Sequence, residues 1–244
     1  DDGAYPHIGA PGGPCDVLDD PHVENIILQW ASRLGKSFFG QSASLYKAEV
    51  KPGPMMHANA DEKTAKEVVQ RTYGMMNNTR CLRKHLKPER RRRQDRVDFQ
   101  RCKMYVAWAR SVSTLADKAV EFGHGGEIDK WEHQSTSNEA DPLQLFLDRG
   151  KEFPTRKFVL ESTPTVKGKS RVEHLRLQST NCRFYVPCPH CGKYQVLAMD
   201  RVEWDKNEAG KSDKDLARKT ARYNCIACED PILDHHRAPM MRRG

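Results

Sequence analysis

The chain has 244 residues, 37% of them hydrophobic and 30% charged, with 41 Lys and Arg against 33 Asp and Glu, for a net charge of +8. That length accommodates one large α/β core with a small appendage. The mean hydropathy of −0.80 and the lack of any long apolar run point away from membrane-spanning helices, and the clustered positive excess favours an anionic partner. The start Asp1-Asp2-Gly3 has neither the basic nor the apolar region of a signal peptide, so a soluble, intracellular protein is expected. The missing initiating Met and the abrupt end at Arg242-Arg243-Gly244 read as the ends of a fragment.

Residues 1–22 are rich in Gly, Pro and Asp and read as an irregular lead-in. Val23 to Gln29 is a short β-branched run, followed by a polar turn and by Lys36-Ser37-Phe38-Phe39, which opens a helix. Met55 to Ala60 is the next expected strand, after the breaker Pro52-Gly53-Pro54, and Asp61 caps a helix reaching Tyr73. A basic stretch from Arg80 to Lys103 leads to a strand at Met104–Trp108. Ala119-Val120-Glu121-Phe122 reads as a short strand entering a Gly-rich turn, Asp141 to Arg149 as an amphipathic helix, and Lys157-Phe158-Val159-Leu160 as a buried strand stopping at Ser162-Thr163-Pro164. Strands alternating with helices predict an α/β fold with a mostly parallel sheet flanked by helices. The last sixty or so residues, 181–244, form a strand-poor, cysteine-bearing module after a main domain at 23–180.

Four groups of residues carry chemistry. Trp30-Ala31-Ser32-Arg33-Leu34-Gly35-Lys36-Ser37 lies between a strand and a helix. A phosphate-binding loop needs converging backbone N–H groups at a helix N-terminus, a Lys for the β- and γ-phosphates and a hydroxyl for Mg2+, and Gly35, Lys36 and Ser37 supply these in order. Trp30 stands where the first glycine of the usual pattern falls, and an ordinary capping turn is the plainer alternative. Arg33 is either a second cation for the γ-phosphate or a solvated loop charge. The segment Phe122-Gly123-His124-Gly125-Gly126-Glu127-Ile128-Asp129 offers Glu127 to orient water and Asp129 to help with Mg2+, or two surface carboxylates. Of eight cysteines, Cys188, Cys191, Cys225 and Cys228 form two Cys-x-x-Cys knuckles separated by 33 residues, a set suited to structural Zn2+ with no open position. Finally, Arg90-Arg91-Arg92-Arg93 is the densest part of the basic stretch, read either as a solvated face or as a sequence-tolerant contact to a phosphate backbone.

In this order the pieces resemble the lambda-type large subunits of tailed-phage terminases. The resemblance is carried by Asp20-Pro21-His22-Val23, by Gln29 to Ser37, by Ser113 to Val120, by Glu127-Ile128-Asp129-Lys130-Trp131 and by Asp141-Pro142-Leu143. The longest match is Glu161-Ser162-Thr163-Pro164-Thr165-Val166-Lys167-Gly168-Lys169-Ser170-Arg171-Val172-Glu173, followed by Tyr185 to Gly192. It implies a RecA-like P-loop ATPase of the additional-strand type with a zinc-ribbon-like C-terminal module. Nucleotide binding is then expected from Ser32, Arg33, Leu34, Gly35, Lys36 and Ser37, catalysis from Glu127 and Arg33, and coupling of hydrolysis to DNA grip from Ser162 and Thr163.

The resemblance further implies ATP, Mg2+ and Zn2+ as cofactors, and double-stranded DNA, a portal protein, a small terminase subunit and a homo-oligomeric ring as partners. It places the protein in the host cytoplasm, away from membranes, with a nuclease beyond Gly244. The sequence departs from the family at Gly126-Glu127, where an Asp-Glu pair is usual, so a non-hydrolysing, zinc-containing scaffold that binds DNA or a partner is the alternative to a packaging motor.

Overall fold

The computed structural model describes residues 13–132 and 141–244. The first twelve residues of the expected lead-in lie outside it. The chain divides into two compact units, Asp16–Asn181 and Cys182–Gly244, the latter grouped with the described residues up to Cys15.

In the first unit, β1 (Asn25–Gln29), α1 (Lys36–Val50), β2 (Met55–Asn59), α2 (Glu62–Asn78), β3 (Arg96–Asp98), β4 (Lys103–Trp108), α3 (Val112–Ala116), β5 (Phe122–Gly126), α4 (Pro142–Asp148), β6 (Lys157–Ser162) and α5 (Arg171–Leu177) follow one another. Six strands make one sheet in the order β1-β6-β5-β2-β4-β3. All neighbours pair parallel except β3, which runs antiparallel to β4 at the edge. The α/β architecture with a mostly parallel central sheet is thus present.

Strands covered on both faces tend to be apolar, and β2, β5 and β6 are buried at every position, with polar exceptions among them that include His57, His124, Lys157 and Glu161. One face is covered by α1 and α2. The other packs Met56, Ala58, Phe158 and Leu160 against Leu115, Leu143, Phe146 and Val172 of α3, α4 and α5, with Trp131 in the same cluster. The rings of Phe146 and Phe158 meet edge-on at 5.2 Å, and Trp131 meets Phe146 at 5.6 Å.

That ring cluster explains where the structure departs from the pattern expected between Ala119 and Gly126. The strand is Phe122–Gly126, the glycine-rich piece itself, and not Ala119–Phe122. A Cβ on Gly123 would stand 2.3 Å from Phe158 and 2.8 Å from Phe146, so the rings occupy the space a side chain would need. Gly40 on α1 does the same service for the other face, since a Cβ there would meet the His124 ring at 2.1 Å.

Helix starts follow their caps. Asp61 accepts from the Thr64 amide, Asp141 from Leu143 with Pro142 in the first turn, and Ser170 from Glu173, each worth about 1 kcal/mol. The lead-in from Asp16 is held down by Lys157, whose buried ammonium donates to the carbonyls of Val17 at 3.3 Å, of Asp20 at 2.6 Å and of Val23.

The second unit contains β7 (Val186–Pro187), β8 (Tyr194–Gln195), β9 (Val202–Glu203), α6 (Lys214–Thr220), β10 (Arg222–Asn224), β11 (Pro231–Ile232) and α7 (Arg237–Met241). Its strands are two or three residues long and form a two-stranded sheet β7-β8 and a three-stranded sheet β11-β10-β9. Its core is small: Val186, Cys188, Cys225, Ile232 and Met240, with Phe184, Tyr223, Cys228 and Met241 packed around it.

Candidate functional site

β1, β6 and β5 are neighbours, and their carboxyl ends bring together three loops, at residues 30–35, 127–131 and 163–170. Ligands of open α/β sheets bind at this edge.

The first loop is shaped for an anion. Arg33 and Gly35 both adopt left-handed backbone, with φ of 65° and 83°, and alternation of that kind turns successive N–H groups toward one point. Gly35 is the N-cap of α1 and makes no side-chain cap hydrogen bond, which suits the positive dipole end of this four-turn helix to an anion. Lys36 is buried to 9% exposure at that terminus.

Ser37 is the next residue, and its hydroxyl donates to Glu161 Oε1 at 2.7 Å. Glu161 lies at the end of β6 with 1% exposure. Burial pushes its carboxyl above the usual range, against the opposing pull of the Ser37 hydroxyl and the Lys36 charge. A buried chain of polar groups continues along the same face: His124 Nε2 stands 3.9 Å from Glu161 Oε1, and the Nδ1 atoms of His124 and His57 are 2.9 Å apart. Burial drives His124 down to about 3 and His57 well below the ordinary imidazole value, so both rings are neutral, one donating to the other.

Glu127 follows Gly126 with φ of 54°, and this left-handed step carries its carboxylate out of the strand to a half-exposed position paired with Lys130 at 3.0 Å. The Trp131 indole donates to the Gly126 carbonyl at 2.9 Å and fixes the strand end. Asp129, expected near Mg2+, has a different engagement. Its Oδ2 accepts from the Thr165 amide and hydroxyl at 3.0 and 3.1 Å, and its Oδ1 from the Val172 amide at 2.8 Å. Burial alone would raise Asp129, but these hydrogen bonds and one from Ser170 hold it below the usual carboxylate value. Asp129 therefore ties down the loop after β6. Ser162 ends that strand, accepting from the Asp129 amide at 3.3 Å, and the Thr163 hydroxyl lies 3.5 Å from that of Ser32 in the first loop.

Two expected residue groups lie elsewhere. Arg90 to Arg93 sit beyond α2 and before β3, at the sheet edge opposite β1. Arg92 stacks over Tyr73 at 5.1 Å and approaches Glu89, and Arg93 pairs with Asp95. Arg90 and Arg91 are exposed.

In the second unit the four sulfur atoms of Cys188, Cys191, Cys225 and Cys228 lie within 4.8 Å of one another. Two of the separations are 3.9 Å (Cys188 to Cys228) and 3.7 Å (Cys191 to Cys225). The edge of a tetrahedron of thiolates at the usual zinc–sulfur distance is about 3.8 Å, so the donor set fits such an ion. Each knuckle turns on a left-handed residue just after its second cysteine, Gly192 and Glu229, and the amides of His190 and Ala227 donate to Cys188 and Cys225 at 3.4 Å. His190 itself points to the Pro231 carbonyl at 3.2 Å.

One unit is a mostly parallel α/β fold with a helix N-terminus at its carboxyl edge, and the other carries a four-thiol cluster; together they define the class of this protein. Residues 10–244 match the family described as phage terminase large subunit gpA, ATPase domain, and the chain belongs to it. A relative in Enterobacteria phage P21, a terminase large subunit, is 39% identical over 105 residues; the match covers 40% of this chain and 16% of that protein. An ATPase domain brings a nucleotide with it. No helix among the described residues is long and apolar enough to cross a membrane.

Proposed function

We propose that this chain is the P-loop ATPase portion of a DNA-packaging motor, turning ATP hydrolysis into movement of double-stranded viral DNA toward a procapsid. The observation that carries the reading is the left-handed Arg33–Gly35 turn opening onto the uncapped N-terminus of α1, with Lys36 and Ser37 as its first two residues. The strand order supports the additional-strand type, because β6 runs between the strand that precedes this loop and the strand that precedes Glu127.

In this mechanism the loop amides from Ser32 to Ser37 cradle the phosphates, and Lys36 and Arg33 balance charge on the transferred phosphoryl group. The Ser37 hydroxyl contributes to holding Mg2+, which when bound neutralises phosphate charge. Glu127, poised on its left-handed turn, orients the attacking water. Ser162 and Thr163 sense the occupied loop through the Ser32 contact and pass that state to the segment braced by Asp129. Arg90 and Arg91 offer phosphate-backbone contacts, Zn2+ in the four-cysteine site holds the second unit's fold, and a portal, a small terminase subunit and further copies of the chain complete the machine.

The test is Mg2+-dependent ATP turnover by the purified chain, with and without linear DNA. Lys36→Ala and Glu127→Gln are each expected to reduce turnover by at least about 100-fold, the scale of a lost positioning or charge-stabilising group. ATP binding with no turnover, at concentrations where copies associate, would instead favour a scaffold that holds DNA, the reading to which Gly126 gives weight.

A further inference from the structure

Glu161 is an acid in a strand of otherwise apolar interior, Phe158-Val159-Leu160-Glu161, and is as buried as they are. A buried carboxyl normally has all its lone pairs engaged. Here Oε1 accepts from Ser37, while Oε2 has no hydrogen-bond partner among the described residues. The nearest imidazole gives no help, because His124 is neutral and its Nε2 is also unpartnered.

The sheet register adds a second observation. Gly126, the last residue of β5, pairs directly with Glu161 on β6, and paired residues of neighbouring parallel strands project from the same face. A side chain at 126 would therefore enter the space Glu161 now serves, with its Cβ 3.1 Å from Asn59 Nδ2. In P-loop ATPases the Mg2+-side carboxylate comes from the end of the strand before the catalytic glutamate, and at that position this chain has no side chain.

We propose that Glu161 supplies from β6 the metal-side carboxylate that Gly126 does not supply from β5, accepting from the Ser37 hydroxyl and leaving Oε2 for the divalent cation or a water of its shell. The acid has moved one strand sideways. This rests on the phosphate-loop reading of residues 32–37 and assigns to that site a ligand contributed by the inserted strand.

The experiment measures affinity for a fluorescent ATP analogue with and without Mg2+, and Mn2+ binding in the presence of ATP by electron paramagnetic resonance. The wild-type chain is compared with Glu161→Gln, with Gly126→Asp, and with the two combined, thermal unfolding being followed for each. Glu161→Gln is expected to keep metal-free nucleotide binding and to lose roughly tenfold or more of the metal-dependent part, as removal of a metal-supporting group does. Restoring an acid at 126 in that background is expected to recover it.

Retention of full Mg2+ dependence by Glu161→Gln would overturn the assignment while leaving the phosphate loop intact. A wild-type chain that binds no nucleotide would overturn the loop reading and the assignment with it. Gly126→Asp alone provides a check independent of Glu161→Gln folding: with Glu161 already in place it should not raise Mn2+ affinity, and a marked rise would show that the metal side had been empty.

Discussion

At the scale of single residues, the α1-facing side of the sheet holds His57, His124 and Glu161 where a core usually places aliphatic side chains. Each has a definite linkage to pH. Burial keeps the histidines neutral when folded while they protonate near 6.5 when unfolded, so the unfolded chain binds more protons below that value and stability falls as pH drops below 6.5. The slope approaches about 1.4 kcal/mol per pH unit per ring. Glu161 acts in the opposite sense, because its raised pKa favours the folded state at low pH and loses that contribution as pH climbs above 4.5, so it offsets part of the histidine effect. Two rings outweigh one carboxyl between pH 5 and 6.5. Urea unfolding of the first unit should therefore show a lower midpoint at pH 5.5 than at pH 7, and equal midpoints would refute the neutral pair.

At the scale of elements, the glycines test the packing argument. Gly123→Ala should destabilise by about 1–3 kcal/mol, because the ring of Phe158 already fills the site and the sheet interior cannot yield cheaply. Gly74→Ala, in the exposed middle of α2 with nothing within 4 Å of a new Cβ, should stabilise by about 0.5–1 kcal/mol through the helix propensity of Ala. Chemical denaturation of the two variants separates these signs, and a neutral Gly123→Ala would mean that the rings repack freely.

The same elements show what the sequence makes legible. β1, β2, β4 and β6 announce themselves as apolar runs, and α2 and α4 by Asp caps, because these signals are local. β5 is disguised as a turn, since its glycines answer to rings from β6 and α4 that no local window contains. At the candidate site, Gly35, Lys36 and Ser37 are readable from their order, whereas Glu161 is not singled out: its meaning depends on register with Gly126 and on the hydroxyl of Ser37, 124 residues away. An acid closing an apolar strand run was the available signal. The Asp129 carboxylate, expected to help with Mg2+ where the Asp-Glu pair is missing, accepts hydrogen bonds from Thr165 and Val172, contacts no local window shows.

At the scale of the whole molecule, the two units differ in what stabilises them. Asp16–Asn181 has a six-stranded sheet covered by helices on both faces, whereas Cys182–Gly244 has a handful of core side chains and strands of two or three residues. On the proposed reading, a metal at the four cysteines holds a core that small. Removing the ion with a strong chelator under reducing conditions should expose Cys182–Gly244 to protease while Asp16–Asn181 keeps its cooperative unfolding, and metal analysis should return about one zinc per chain before treatment. Protection of the second unit after complete metal removal would show that the thiols are not structural ligands.

β6 anchors the lead-in at its first residue, through Lys157, and ends at Ser162, beside the loop that faces Ser32. Both of its edges are hydrogen-bonded, to β1 and to β5, and a slip of one residue would turn Glu161 into the aromatic cluster. The strand thus behaves as a fixed rail. On the proposed motor reading, a stroke produced when the nucleotide changes begins downstream of Ser162, in the short span to α5 that the Asp129 carboxylate holds through Thr165 and Val172.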